Sequence, residues 1–335
     1  MKTIQDLGEF GIIGRLKTVF QPSQELVVAG IGDDCAVIEG PDGFFYLLTC
    51  DTQVEGVHFL PDTDPYLLGK RVLAVNLSDI AAMGGIPVLG LLSFILRSSL
   101  SIEFWEKFMA GLREEAQAYQ VDIVGGNLAR SNGPLTFDVT LLGKVEKTRP
   151  LLLRSNARVG DAVLITGYLG ESRAGLAVAS GNNPIEKDRY QPLLERFLAP
   201  TPRIEVGRLL GKMGERMALI DVSDGLIQDL SHVTEKSGVG AVLEASAIPV
   251  SSLLRAWCNE KGENPLQFAL QGGEDFELLF TVQAKCAPDV VREIEQSCGV
   301  KAWIIGEIVR EKGIYLRKNG ETVPVELVGW NHFQR

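Results

Sequence analysis

The stretch Asn76-Leu77-Ser78-Asp79-Ile80-Ala81-Ala82-Met83-Gly84-Gly85 sets one carboxylate inside an apolar, small-residue run that stops at two glycines. Upstream, Asp64-Pro65 supplies a helix cap followed by proline in the first helical position, so Asp79 falls in the last turns of a helix and not in a loop. A helix C-terminus carries partial negative charge, which disfavours a carboxylate there unless a cation offsets it. A single aspartate on a helix is most often merely solvated. What lifts Asp79 above that reading is the number of similar aspartates elsewhere in the chain.

Around this helix the first half reads as an apolar-periodic helix over 10–19 and short strands over 27–29, 35–38 and 44–49, divided by Gly30-Ile31-Gly32-Asp33-Asp34 and the turn Gly40-Pro41-Asp42-Gly43. A buried strand follows over 87–96, then a helix capped by Ser101 with Phe104, Trp105, Phe108 and Leu112 at helical spacing, a stripe that belongs to core or interface. A strand over 121–124 runs into Gly125-Gly126-Asn127, and another spans 135–145. The pattern breaks over 147–160, which sets a boundary near Arg149-Pro150 and two domains, 1–149 and 150–335. In the second domain, strands over 162–166, 218–220, 276–282, 302–305 and 314–316 mix with helices, among them 172–179, 192–210, 251–259, 265–270 and 288–296. The order lacks a strict strand–helix–strand rhythm, so the expected class is α+β in both halves.

The 335 residues allow two cores. Hydrophobic content of 45% with 23% charged residues fits a globular enzyme, and the apolar runs fall short of a membrane span. The opening Met1-Lys2-Thr3-Ile4-Gln5-Asp6 lacks a signal-peptide hydrophobic region, so a cytoplasmic protein with no membrane partner is expected. Five cysteines without a C-x-x-C pair read as reduced thiols. A formal charge of -10 disfavours a nucleic-acid partner, and the three histidines, His58, His232 and His332, have no zinc-site spacing. His232 and His332 read as structural.

Four acidic segments sit at strand ends or beside glycines: Gly32-Asp33-Asp34, Thr49-Cys50-Asp51-Thr52, Asp79, and Asp221-Val222-Ser223-Asp224-Gly225. Each alone is a turn-type signal. If gathered in one cleft they would repel at roughly 4 kcal/mol per pair about 4 Å apart, so such a cluster implies bound cations, and hard oxygen donors select magnesium. No Walker A pattern occurs, and Gly30-Ile31-Gly32 lacks the third glycine of a dinucleotide fingerprint. What remains is phosphoryl transfer with aspartate-held magnesium. A phosphate acceptor would need no general base, because its oxygen is already anionic.

Gly8-Glu9-Phe10, Gly30-Ile31-Gly32-Asp33-Asp34-Cys35-Ala36, Asp51-Thr52 through Gly56-Val57-His58-Phe59, the Asp79 stretch, Leu153-Arg154-Ser155, Asp221-Val222-Ser223-Asp224-Gly225, Gly272-Gly273-Glu274-Asp275-Phe276-Glu277-Leu278 and Trp330 together resemble the thiamine-monophosphate kinase family. The match runs in order over nearly the whole chain. Its wider superfamily includes aminoimidazole-ribonucleotide synthetase, selenophosphate synthetase and a hydrogenase-maturation protein; the 56–59 and 272–278 segments are the more specific part. The resemblance implies ATP-dependent phosphorylation of thiamine monophosphate to thiamine diphosphate by direct in-line transfer. It also implies a homodimer whose N-terminal sheets pair into a β-barrel, and a C-terminal α/β sandwich.

By the same resemblance, Asp51, Asp79 and Asp224 are catalytic. Magnesium ligands fall on Asp34, Thr49, Cys50, Asp51, Asp79, Asn127, Asp221 and Asp224, ATP contacts on Gly126, Asn127, Arg154 and Ser223, and substrate contacts on His58, Glu274 and Trp330. A guanidinium at 154 suits a phosphate, and an indole at 330 suits a cationic heterocycle. Two positions depart from the family's commonest pattern. Asn127 stands where aspartate is usual, and Cys50 where a hydroxyl residue is usual, so any role at 50 uses the backbone carbonyl. Competing expectations are another ATP-using synthetase of the superfamily and a catalytically silent nucleotide-binding regulator.

Overall fold

The computed structural model describes residues 3–326. Its first half comprises α1 (Gly8–Val19), β1 (Val27–Ala29), β2 (Ala36–Glu39), β3 (Phe44–Val54), α2 (Pro65–Ala82), β4 (Ile86–Leu96), α3 (Ile102–Ala118), β5 (Asp122–Arg130) and β6 (Thr136–Glu146). The strands form one mixed sheet in the order β1-β2-β3-β6-β4-β5, in which only the β4–β5 pair is parallel. The second half adds β7 (Asp161–Thr166), α4 (Glu171–Ser180), α5 (Pro184–Arg189), α6 (Gln191–Leu198), α7 (Ile204–Lys212), β8 (Ala218–Asp221), α8 (Leu226–Ser237) and β9 (Gly240–Glu244). It closes with α9 (Ser252–Lys261), α10 (Pro265–Gln271), β10 (Leu278–Gln283), α11 (Ala287–Cys298), β11 (Ala302–Val309), β12 (Gly313–Lys318) and β13 (Glu321–Pro324). The second sheet runs β13-β12-β9-β11-β7-β10-β8, with β9–β12 its parallel pair. The class is α+β with two mixed sheets.

α2 joins the halves. Its start is the one the sequence anticipates: the Asp64 carboxylate accepts from the backbone N–H groups of Tyr66 and Leu67, with Pro65 in the first turn. From Leu68 to Ala82 nearly every residue is buried, because the first sheet covers one side, α3 another, and α7 and β8 of the second half a third. Small residues make those approaches possible. A Cβ on Gly69 would meet the Phe108 carbonyl oxygen at 2.1 Å, and one on Gly207 of α7 would meet the Ala81 carbonyl oxygen at 2.1 Å. The carboxyl end of α2 is therefore clamped between both sheets. One apolar core runs from Leu73, Leu77 and Ile80 on α2 to Leu219, Leu278 and Phe280 in the second sheet, and a second core fills that sheet's other face beneath α8.

Three local readings change. β3 runs on to Val54, so Asp51 lies within a strand, opposite Val139 of β6, and not at a strand end. The strand expected over 121–124 runs on through Gly125-Gly126-Asn127 to Arg130, with Gly126 opposite Leu92 and Asn127 opposite Ser93. The glycine is there for close approach, since a Cβ at 126 would fall 1.7 Å from the Leu92 carbonyl oxygen. β9, β13 and α5 are further elements that the sequence reading did not separate. The Phe104–Trp105–Phe108 stripe is core: the Phe108 ring stacks on Phe137 at 4.4 Å between centroids. All five cysteines are free, and among the described residues no helix is long and apolar enough to cross a membrane.

Candidate active site

Three carboxylates from three parts of the chain converge at the end of α2. Asp34 comes from the loop before β2, Asp79 from the last turn of α2 and Asp221 from the end of β8, and their oxygens lie within 4.8 Å of one another. Neighbouring hydroxyls hold them in place. The Thr49 hydroxyl donates to Asp79, and the Ser78 hydroxyl donates to Asp221 at 2.6 Å. Strand alternation explains the β3 contribution: Thr49 and Asp51 face this side, while the Cys50 thiol lies on the other face beside Asp138 and Thr140. The Asn76 amide oxygen accepts from the Asp51 backbone N–H at 3.0 Å, tying β3 to α2.

Burial and mutual repulsion dominate the electrostatics of the cluster. Burial, then the charges of Asp51, Asp221 and Asp34, pushes the Asp79 carboxyl well above the usual range. Burial, then Asp34, does the same to Asp221. Arg154 is the nearest compensating cation; its guanidinium donates to both Asp34 oxygens, at 2.6 and 3.4 Å, and its backbone N–H donates to Asp33 at 2.8 Å. One guanidinium cannot balance this many carboxylates. The three carboxylates are a hard, all-oxygen donor set, which fits a divalent cation of the magnesium type.

A second group adjoins the first. Asp224, Asp229 and His232 place ligand-type atoms within 4.8 Å of one another. Asp229 organises the loop: one of its oxygens accepts from the backbone N–H groups of Ser223, Asp224 and Gly225, at 3.1, 3.1 and 3.0 Å. Those N–H groups form a small concave nest that the chain's own carboxylate fills. Burial, then the Glu9 charge on α1, raises Asp224 to about 7. His232, read from sequence as structural, borders this group with its ring 4.8 Å from that of Phe10. Burial, then the charges of Arg154 and Lys236, lowers it to about 4, so it is neutral at pH 7.

The other anticipated residues are placed as follows. His58 lies in the turn after β3 and accepts the Val54 N–H on Nδ1 at 3.0 Å. Glu274 has a left-handed backbone, φ 63°, and its carboxylate takes a hydrogen bond from Arg71, a fully buried guanidinium that also binds Gln53 and the Phe197 carbonyl. Gly126 and Asn127 lie on the exposed edge strand β5, outside both carboxylate groups. Trp330 falls outside the described residues. Sequence reasoning missed Arg71, Ser78, Asn76 and Asp229, and it missed the ion-pair node at Glu277, whose buried carboxylate binds Arg196, Arg203 and the Thr166 hydroxyl. The available signals were two charged residues, Lys70 and Arg71, within the otherwise apolar run 68–75 and an aspartate in the first turn after Gly225.

Models of the AIR synthase related protein, N-terminal domain, and of the AIR synthase related protein, C-terminal domain, match residues 32–145 and 158–319. The thiamine-monophosphate kinase of Aquifex aeolicus is 34% identical over 334 residues, covering 98% of this chain and 99% of that one. The thiamine-monophosphate kinase of Salmonella typhimurium is 38% identical over 330 residues, covering 97% and 98%. The chain belongs to the thiamine-monophosphate kinase family. Its enzyme class is accordingly that of a phosphotransferase, a thiamine-phosphate kinase. Among solved structures, AaThiL complexed with AMPPCP and TMP superposes with a TM-score of 0.85 at 33% identity, covering 99% of each chain. Near-complete coverage on both sides means that family membership applies to both sheets.

Proposed function

We propose that this chain transfers the γ-phosphoryl group of ATP to thiamine monophosphate, giving thiamine diphosphate and ADP. A terminal oxygen of the acceptor phosphate attacks the γ-phosphorus in line, and the bond from that phosphorus to the β–γ bridging oxygen breaks. The acceptor oxygen is already anionic, so no general base is required. The observation that carries the reading is the convergence of Asp34, Asp79 and Asp221 within 4.8 Å. Together with Asp51, Asp224, the Thr49 hydroxyl, the Cys50 carbonyl and the Asn127 amide oxygen, they would hold magnesium, which neutralises phosphate charge and aligns donor with acceptor. Arg154 would move one or both of its donors from Asp34 to the nucleotide, near the Ser223 loop. Arg71 would orient Glu274 towards the acceptor, and His58 and Trp330 would contribute further contacts to it.

The two domains would meet near residues 149–150, with the first supplying most metal ligands and the second the loops around the nucleotide. Ile123, Val124 and Leu128 on edge strand β5 are exposed, which supports a homodimer in which two such sheets complete a barrel. That pairing would surround Gly126 and Asn127 and bring them into a nucleotide site. The test is chromatographic detection of products from ATP, magnesium and thiamine monophosphate, with free thiamine for comparison. Equal amounts of ADP and thiamine diphosphate, from the monophosphate only, are expected. ATP binding without thiamine diphosphate would withdraw the acceptor assignment.

A further inference from the structure

Outside the carboxylate cluster, two ammonium groups meet over the Gly30-Ile31-Gly32 turn. Lys17 lies in the last turn of α1 and Lys236 in the last turn of α8. A lysine in a last helical turn has an ordinary explanation in the partial negative charge there, but that does not explain why two should converge. A Cβ on Gly32 would lie 2.1 Å from the Lys236 nitrogen and 3.7 Å from that of Lys17, and the φ of +124° at Gly32 favours glycine there. Both ammonium nitrogens therefore crowd the same point over Gly32, and neither can accept a hydrogen bond. Burial and then this contact hold the Lys236 amine below its usual range. Arg154 adds a third positive charge and Asp33 a partial offset.

α1 touches the site at two further points: the Phe10 ring lies on His232, and the Glu9 charge acts on Asp224. Gly8 is buried, while Phe10, Ile13, Leu16 and Val19 keep substantial exposure. The helix therefore rests on the site without being built into the core. We propose that Lys17 and Lys236 clamp a phosphate group of the bound nucleotide, and that this contact draws α1 down over α8 and the carboxylate cluster. An anion between the two ammonium groups converts their repulsion into two charge-assisted hydrogen bonds, so closure follows nucleotide binding. The inference rests on the kinase reading and adds a nucleotide-sensing role for α1.

The test is calorimetric binding of AMPPCP with magnesium, and separately of thiamine monophosphate, to the full chain and its K17A, K236A and K17A/K236A variants, with hydrogen exchange followed over residues 8–19. Each single variant should bind AMPPCP about tenfold more weakly, as expected for one charge-assisted hydrogen bond. The double variant should bind about a hundredfold more weakly, because both hydrogen bonds to the phosphate are then lost. Affinity for thiamine monophosphate should be unchanged. AMPPCP should slow exchange over 8–19 in the unsubstituted protein and not in the double variant. Without nucleotide the double variant should melt no lower than the parent, since a repulsion has been removed. AMPPCP affinity within twofold of the parent, equal exchange protection, or a loss confined to thiamine monophosphate would each overturn the clamp while leaving the kinase reading intact. Failure of the unsubstituted protein to bind AMPPCP would overturn both.

Discussion

Replacing Asp79 with asparagine should stabilise the metal-free protein and abolish its activity. Asp79 shares a space 4.8 Å across with Asp34 and Asp221, and a unit-charge pair about 5 Å apart at an effective dielectric near 20 repels by about 3 kcal/mol. Proton uptake relieves part of this in the parent, because the Asp79 carboxyl titrates well above the normal range. The neutral amide should therefore recover about 2 kcal/mol at pH 8, and the Thr49 hydroxyl can still donate to its oxygen. For a chain of 335 residues the unfolding entropy is about 0.7 kcal/mol per kelvin, so the gain appears as roughly 3 °C in Tm. Magnesium should reverse the order. A cation at a hundred times its Kd adds about 2.7 kcal/mol to the parent, and D79N should gain less than half of that. Scanning calorimetry in EDTA and in magnesium reads both effects. A D79N protein that melts below the parent in EDTA, or that gains as much from magnesium, would refute the crowded-carboxylate reasoning.

Other expected outcomes follow from particular contacts. Asp229→Ala leaves three backbone N–H groups without their acceptor, so urea unfolding should show a loss on the order of 3 kcal/mol, and kcat/KM should fall at least about 100-fold; Asp229→Asn should retain part of both. Glu115 is buried on α3, and burial raises it to about 7. A carboxyl raised on folding gives stability that is full below its unfolded value of 4.5 and lost as pH rises through about 7. Glu115→Gln should thus match the parent near pH 4.5 and exceed it by about 1–3 kcal/mol at pH 8, after allowance for solvent screening. Gly207→Ala forces a methyl group against the Ala81 carbonyl, and should cost about 2 kcal/mol or more while lowering kcat, because Asp79 lies one half-turn away. Asn127→Asp should lower the magnesium concentration for half-maximal rate, and an equal or higher requirement counts against a ligand role at 127.

Where the sequence was legible, the physics was local. The Asp64 cap, Pro65 and the glycines after Met83 define α2 because capping and chain reversal depend on neighbouring residues. The Asp79 anomaly was visible for the same reason: one carboxylate in an apolar helix end. Asp34 and Asp221 could be suspected from flanking glycines and strands, but their meeting is a tertiary fact set by α2 lying between two sheets. Extents failed where pairing overrides local cues. Phe137 to Leu141 of β6 hold β3 and β4 in register well beyond the hydrophobic run, and close approach explains the glycine at 126. Arg71, Asp229 and Glu277 were least legible, because each derives its meaning from partners distant in space: Gln53 and Glu274, the 223–225 backbone, and a pair of arginines.

The most direct test of the transfer itself is stereochemical. ATP carrying a chiral γ-thiophosphate, labelled with oxygen isotopes, would be reacted with thiamine monophosphate and the configuration at the product's terminal phosphorus determined. A single in-line displacement from ATP to acceptor predicts inversion, with one ADP formed per thiamine diphosphate. Retention would require two displacements through a phosphorylated residue of the chain, and would contradict the direct transfer on which the roles of Asp34, Asp79 and Asp221 rest.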